Sequence, residues 1–400
     1  MFSFSLLACH SLAAQELQSY IQEAELNNPE IQALEWKYQG TREKVNEAQA
    51  LPNTSVSVGY FVSEPETRTG AQVARFSVSQ MLPWFGTITA REQYANAMAE
   101  TEFVALSIAK RKLALTVAQS YYELYALQAQ EKVLQENIEL LETYERLALT
   151  AVEVNKASVV DVLRLQIRQN ELEQQRQVLL EDYKAEQIQF TNYLNRQEDQ
   201  PINVVSELIL PETDPLEGND QLALHPELLQ YDRLYESVEQ SELVNQKEAA
   251  PSLGLGLDYV PVAERPNQSF SDNGKDIVMP MVSLSIPIFN SKYSAVTRQN
   301  ELKLQEIQSQ KTARLNVLES AFAKAKSQQN QARITYETQV KNSEKARDAE
   351  AILLKKYETA SIDFNDLLDI QQILLSFQKQ QIEALKKYYQ QTAIINYLVR

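Results

Sequence analysis

The chain has 400 residues, with only 8 Gly and 13 Pro, and a formal net charge of −16. So acidic a chain repels nucleic-acid phosphates and suits a soluble surface or a lumen that admits cations. One Cys and two His exclude a disulfide framework and a cysteine zinc site, and no nucleophile–base–orienter set can be assembled from them, which argues against an enzyme.

The first residues, Phe2-Ser3-Phe4-Ser5-Leu6-Leu7-Ala8, followed by Ser11-Leu12-Ala13-Ala14, read as a signal-peptide remnant over 1–14 with cleavage near Ala13. Leu6-Leu7-Ala8-Cys9 also fits a lipoprotein box, with lipidation of Cys9 as the alternative. No run of 18 apolar residues follows, so any membrane crossing must use strands.

Asn28-Pro29-Glu30 opens a helical stretch that closes at Pro52. Two alternating segments come next, about 54–62 and 72–81. Val56, Val58, Tyr60 and Val62 share one face of the first, and Ala74, Phe76 and Val78 one face of the second. The polar loop 63–70 joins them. From Thr87 to Gln200 there is neither Gly nor Pro, which predicts a long helical hairpin. Leu106, Leu113, Leu127, Leu134 and Leu141 recur at multiples of seven, with Val117, Leu124 and Ile138 four residues after members of that series. The outgoing arm, Thr87 to Asn155, would be about 100 Å long at ~1.5 Å per residue. Asn155 can adopt the left-handed conformation that ends a helix. Ser158 with Asp161 then caps the return arm, expected from Ser158 to Gln200.

After a linker at 201–219, which holds Pro211, Pro215 and Gly218, the plan repeats. His225-Pro226-Glu227 answers Asn28-Pro29-Glu30, and Pro251 answers Pro52. Residues 157–166 parallel 362–371 at an offset of 205. Strands are expected at about 252–260 and 276–287, joined by the loop 261–275. A second hairpin is expected over 290–399, its tip near Ala360 to Asp363 and Asp363 capping its return arm. Three landmarks in the same order imply a tandem duplication of a helix–strand–strand–long helix–helix unit, with repeats at 15–200 and 220–400. Each strand is of bilayer-crossing length, although a small soluble sheet with one wet face would show the same pattern; four strands cannot close a barrel and lipid forbids an open edge, so if they span, several chains must contribute. The competing reading is a non-membrane periplasmic coiled-coil scaffold, for which strands of bilayer length have no use.

The duplication, the Asn-Pro-Glu and His-Pro-Glu openings, Gln80-Met81-Leu82-Pro83-Trp84-Phe85-Gly86, Pro287-Ile288-Phe289-Asn290, the tip segments 161–166 and 366–371, and Tyr193-Leu194-Asn195 together resemble the TolC family of outer-membrane efflux proteins. The Gln-Met-Leu-Pro-Trp-Phe-Gly stretch is similar to the heavy-metal branch. The resemblance implies a mainly α chain whose homotrimer forms a 12-stranded outer-membrane β-barrel continued by a periplasmic α-helical barrel. It implies an exit duct of a tripartite efflux or type I secretion system in a Gram-negative bacterium, passively exporting small molecules or metal ions, driven by an inner-membrane pump of the RND or ABC type through a periplasmic adaptor, and no cofactor. Asp366, Asp369 and Tyr357 match the family's aperture gate, and Ile362 stands where the family has an arginine. Val154, Asn155 and Lys156, with Thr359, Ala360 and Ser361, match the tips that meet the adaptor.

Asp366 equally suits a cap in the first helical turn, and Asp369 a solvated face. Asp161 reads as a cap before a gate residue. Met81, Met279 and Met281 carry thioethers that bind soft metals, with ordinary packing the better account.

Overall fold

The computed structural model describes residues 5–154, 158–197, 200–213, 219–358 and 364–399. Asn155, Lys156, Thr359, Ala360, Ser361, Ile362 and Asp363 lie outside the described residues.

In chain order the elements are α1 (Ser5–Asn27), α2 (Pro29–Ala48), β1 (Ser55–Tyr60), β2 (Glu66–Thr67), β3 (Gly70–Gln72), β4 (Ala74–Leu82), α3 (Thr87–Glu153) and α4 (Val159–Leu194). A 3₁₀ turn at Asn219–Leu224 leads to α5 (Pro226–Glu248), β5 (Ser252–Val260), β6 (Val262–Ala263), β7 (Ile277–Ser285), α6 (Lys292–Glu358) and α7 (Phe364–Val399). The duplication is written in the lengths: α3 and α6 each have 67 residues, and α4 and α7 each have 36. The missing Gly and Pro explain the uninterrupted long helices, since no residue within them breaks the i→i−4 ladder.

The chain forms two compact units. The first comprises residues 1–33, 107–225 and 314–400, and its core runs along the seven-residue series. Leu134, Ile138, Leu141, Tyr144 and Ala148 of α3 pack with Val162, Leu165 and Leu172 of α4 and with Phe364, Leu367 and Leu375 of α7. A second cluster joins Tyr20 and Ala24 of α1 to Val117, Tyr121 and Leu124 of α3 and to Phe190 and Leu194 of α4.

The two Pro-Glu openings do equivalent jobs. The Asn28 side-chain oxygen caps α2 by accepting from the Glu30 N–H at 2.9 Å, and its amide donates to the Tyr193 carbonyl at 3.1 Å. His225 meets the Tyr397 carbonyl at 3.2 Å, so each opening docks on the same place of its own repeat's return helix. Pro suits the first helical position because the N–H it lacks would have no intrahelical partner there.

Two expectations change. The return helix α4 stops at Leu194, short of Gln200, because Asn195 turns left-handed (φ 52°, ψ 41°) and the Arg196 N–H bonds back to the Thr191 carbonyl. The segment at 201–213 is a strap held on the helices, with Ile202 and Leu208 buried. Its unpaired backbone is satisfied by tyrosines. Tyr20 Oη receives the Asn203 N–H (2.9 Å), Tyr121 Oη the Val205 N–H (3.1 Å) and Tyr125 Oη the Leu208 N–H (3.2 Å). Tyr389 donates to the Ile209 carbonyl, and Arg333 to that of Pro211. Burial pushes the Tyr121 and Tyr389 phenols up to about 12, and raises Tyr125 as well.

The second unit comprises residues 34–106 and 226–313. Its main sheet has the order β1-β4-β5-β7, antiparallel throughout. The loops expected at 63–70 and 261–275 contribute a small sheet of their own, in the order β2-β3-β6. Glu242 of α5 ties that helix to the start of α6 by accepting from Thr297 (2.8 Å) and Asn300 (2.9 Å). Burial alone would raise its carboxyl, but those hydrogen bonds hold it below the ordinary range.

Candidate functional site: sheet faces and hairpin turns

Register sorts the main sheet into two chemically distinct faces. Across the strands run the rows Val56, Val78, Leu257, Pro280 and Val58, Phe76, Tyr259, Val278, with Leu253 opposite Leu284 and Leu255 opposite Val282. Val56, Val58, Phe76, Val78, Leu255, Leu257, Val278, Val282 and Leu284 are all exposed. A water-soluble protein covers such a face, whereas lipid leaves it open.

The other face carries Ser55, Ser57, Arg75, Ser77, Ser79, Gly254, Gly256, Asp258, Ser283 and Ser285. Its charge is a single ion pair: Arg75 donates to Asp258, whose side chain is fully buried. Met81 lies against Gly254 and Met281 against Gly256, in space that a Cβ would occupy. The thioethers therefore fill the glycine gaps of their neighbouring strand, which favours the packing account. β1 and β7 each have one partner within the chain, so the sheet keeps two open edges. Pro280, which has no N–H to give, sits in an edge strand, where it is tolerated.

In the helical unit, Ser158 accepts from the Val160 N–H at 3.1 Å while Asp161 accepts from the Ser158 N–H at 3.1 Å, a reciprocal capping box that opens α4. Val154 is exposed just before it. On α7, Asp366 and Asp369 stand three residues apart and both are exposed; neither takes a hydrogen bond or ion pair among the described residues. Tyr357 is half-buried and packs edge-on against Phe364, ring centroids 5.0 Å apart.

The sequence had not pointed to the polar clasp behind these residues. Tyr144 of α3 donates to Glu350 of α6 at 2.9 Å, and Gln371 of α7 donates to Glu350 and to the Tyr144 hydroxyl. Burial, and then the Glu350 carboxylate, push the Tyr144 phenol well above its ordinary value. Arg164 of α4 donates to Asn365 of α7, a further link between the two repeats. Tyr144 and Arg164 lie 201 to 227 positions from these partners, and no local pattern marks them.

Among the described residues no helix is long and apolar enough to cross a membrane, and no cluster of three His, Cys, Asp or Glu is placed to hold a metal ion.

Residues 20–196 match the family model "Outer membrane efflux protein". No curated protein sequence matches the chain. Among solved structures, the outer-membrane channel OprN superposes with a TM-score of 0.77 at 16% identity, covering 96% of this chain and 90% of its own. VceC of Vibrio cholerae gives 0.77 at 14% identity, covering 96% of each. CusC, described as undergoing transmembrane channel formation, gives 0.75 at 14%, covering 96% of this chain and 92% of its own. At such identities these likenesses speak for the fold. With the efflux-family match in the first half and the fold of outer-membrane channels over the whole length, the chain resembles the TolC family of outer-membrane efflux proteins in both sequence and architecture.

Proposed function

We propose that the chain is one subunit of a passive exit duct, three copies of which pool their four-stranded sheets into a 12-stranded barrel in the outer membrane of a Gram-negative bacterium. The observation that carries this reading is the sheet itself, apolar and exposed on one face, Ser-, Gly- and Met-rich on the other, and open at both edges. Each unsatisfied backbone group costs several kcal/mol in hydrocarbon, so β1 of one copy pairs with β7 of the next until the ring closes. The apolar face meets lipid and the polar face lines the lumen. The efflux-family match and the fold of OprN, VceC and CusC support the assignment.

In this reading a periplasmic adaptor contacts the hairpin turns at Val154, Asn155, Lys156, Thr359, Ala360 and Ser361, and an inner-membrane pump of the RND or ABC type supplies the energy. Asp366 and Asp369, with Tyr357 beside them, gate the aperture. Repeated three times around a narrow opening, the two acids attract cations and filter charge. The cargo is small molecules or metal ions, and the chain performs no chemistry on it.

The open edges supply the test. In a Cys9→Ser background, cysteines are paired across β1 and β7, for example Ser57→Cys with Ser283→Cys and its register neighbours. Oxidation of detergent-extracted protein should yield a ladder that stops at three chains. A protein that is soluble without detergent and stays monomeric under oxidation would sink the duct and favour the scaffold.

A further inference from the structure

The polar face of the main sheet carries one cation, Arg75, and one acid, Asp258. The two are not equivalent to a solute passing over that face. The Asp258 side chain is 0% exposed: its Oδ2 accepts from Arg75 Nη2, and its Oδ1 is buried with no hydrogen-bond partner. The Arg75 side chain is 47% exposed. The pair is therefore a dipole set in the wall, acid beneath and guanidinium toward water.

Its place in the sheet is equally defined. Arg75 is the second residue of β4 and Asp258 the third from the end of β5, so both lie at the end of the strands away from the long helices. Gly59 of β1 stands opposite Arg75, and a Cβ there would meet nothing within 4 Å, so the space beside the arginine is open. In the loops beyond, Arg68 pairs with Asp272 and Arg265 with Glu66, which neutralises those cations where they stand. A mere brace between β4 and β5 has no use for a guanidinium left half in water beside a bare strand. A planar fork of N–H donors with an open side is what a carboxylate or phosphate oxygen pair binds.

We infer that Arg75, once from each of three copies, forms a guanidinium ring at the outer mouth of the barrel that draws in anionic groups (carboxylate, sulfonate or phosphate) on departing solutes, with Asp258 as the buried acid that positions it. The duct then carries opposite charges at its two ends, acids at the periplasmic aperture and guanidinium groups at the exit. The ring rests on the duct reading, and the test separates the two.

Gly59→Cys in a Cys9→Ser background places a thiol beside Arg75. The full-length variant is inserted in phospholipid vesicles and treated with an anionic or a cationic membrane-impermeant methanethiosulfonate. The ratio of the two rates, anionic over cationic, is divided by the same ratio for free 2-mercaptoethanol. At 0.1 M salt, where the Debye length is about 10 Å, the result should be about fourfold above unity, and it should fall toward unity at 1 M, where that length is about 3 Å. Arg75→Gln should abolish the excess, Arg75→Lys should keep it, and Asp258→Asn should keep or raise it. Arg75→Gln with Asp258→Asn removes both charges, should also give unity, and serves if the single variant misfolds. Val58→Cys, one residue away on the apolar face, should be shielded by lipid from both reagents.

A value of unity in the parent, with Gly59→Cys reactive and Val58→Cys shielded, means that Asp258 cancels the cation; it overturns the ring and leaves the duct. An excess that survives loss of both charges assigns the field to the loops and equally overturns the ring. Val58→Cys as reactive as Gly59→Cys, in protein that does not float with the vesicles, refutes the duct reading itself.

Discussion

Tyr144→Phe isolates the clasp among α3, α6 and α7. Tyr144 is 3% exposed, and its hydroxyl both donates to Glu350 at 2.9 Å and accepts from Gln371 at 3.3 Å. The substituted ring keeps the edge contact with Phe364, at a centroid distance of 6.3 Å, so packing changes little. A hydrogen bond to a charged acceptor contributes about 1.5–3 kcal/mol. Glu350 is half-buried and retains Gln371, so its charge is not orphaned, and the loss should fall at the lower end, ~1–2 kcal/mol. An energy of that size shifts a local opening equilibrium about 5–30-fold.

Hydrogen exchange read by mass spectrometry on detergent-solubilised protein suits a complex whose global unfolding is not two-state. Peptides covering 138–150 and 364–375 should exchange faster by that factor, while 10–27 should not change. In a Glu350→Gln background the effect of Tyr144→Phe should shrink, since the charged acceptor is already gone. Unchanged exchange, or an equal effect in both backgrounds, would refute the argument that this hydroxyl ties the helices together.

Three further outcomes follow from the same geometry. The raised phenols of Tyr121, Tyr122, Tyr125, Tyr144 and Tyr389 bind their protons more tightly folded than unfolded. The stability they contribute is therefore complete below pH 10 and falls as pH rises above it, so tyrosinate absorbance should show an exposed class titrating first and a buried class appearing together with loss of helix. Ser158→Ala removes the cap of α4 and should cost about 1 kcal/mol, visible as faster exchange confined to its first turn, with Ser158→Asp restoring protection. Arg75→Ala removes the cation that pairs with Asp258 and should lower the temperature at which the folded form disappears on semi-native gels, while Arg75→Ala with Asp258→Ser should recover most of it.

Much of the architecture was readable because its cues are local. Absent breakers marked α3 and α6, the seven-residue series marked the core face, alternation marked four strands, and Ser158 with Asp161 marked the start of α4. What escaped depends on distant partners or on backbone conformation. Asn195, which ends α4, belongs to a segment that the resemblance had marked, but with no Gly or Pro before Pro201 no local breaker set the helix end there rather than at Gln200. The strands β2, β3 and β6 are two or three residues long, too short to show alternation, and exist only because they meet one another. Prolines announced the segment after Gln200 as a linker, but the tyrosines that hold it come from α1, α3 and α7. The clasp of Tyr144, Glu350 and Gln371 has the same origin. The acids Asp366 and Asp369 stood out only through the family resemblance, and both are exposed on α7. Most of the residues proposed to meet an adaptor lie outside the described segments, where the family resemblance alone speaks.

The central claim is that this chain conducts, and that Asp366 and Asp369 face its aperture. Single-channel recording in planar bilayers tests both at once, using detergent-purified protein beside a variant carrying Asp366→Asn and Asp369→Asn. Small cation-selective openings in the parent, with larger conductance or weaker selectivity in the variant, are the predicted result. A conducting parent that the variant matches would keep the duct and remove these two acids from its gate. Absence of any current from protein shown to have inserted would contradict the account.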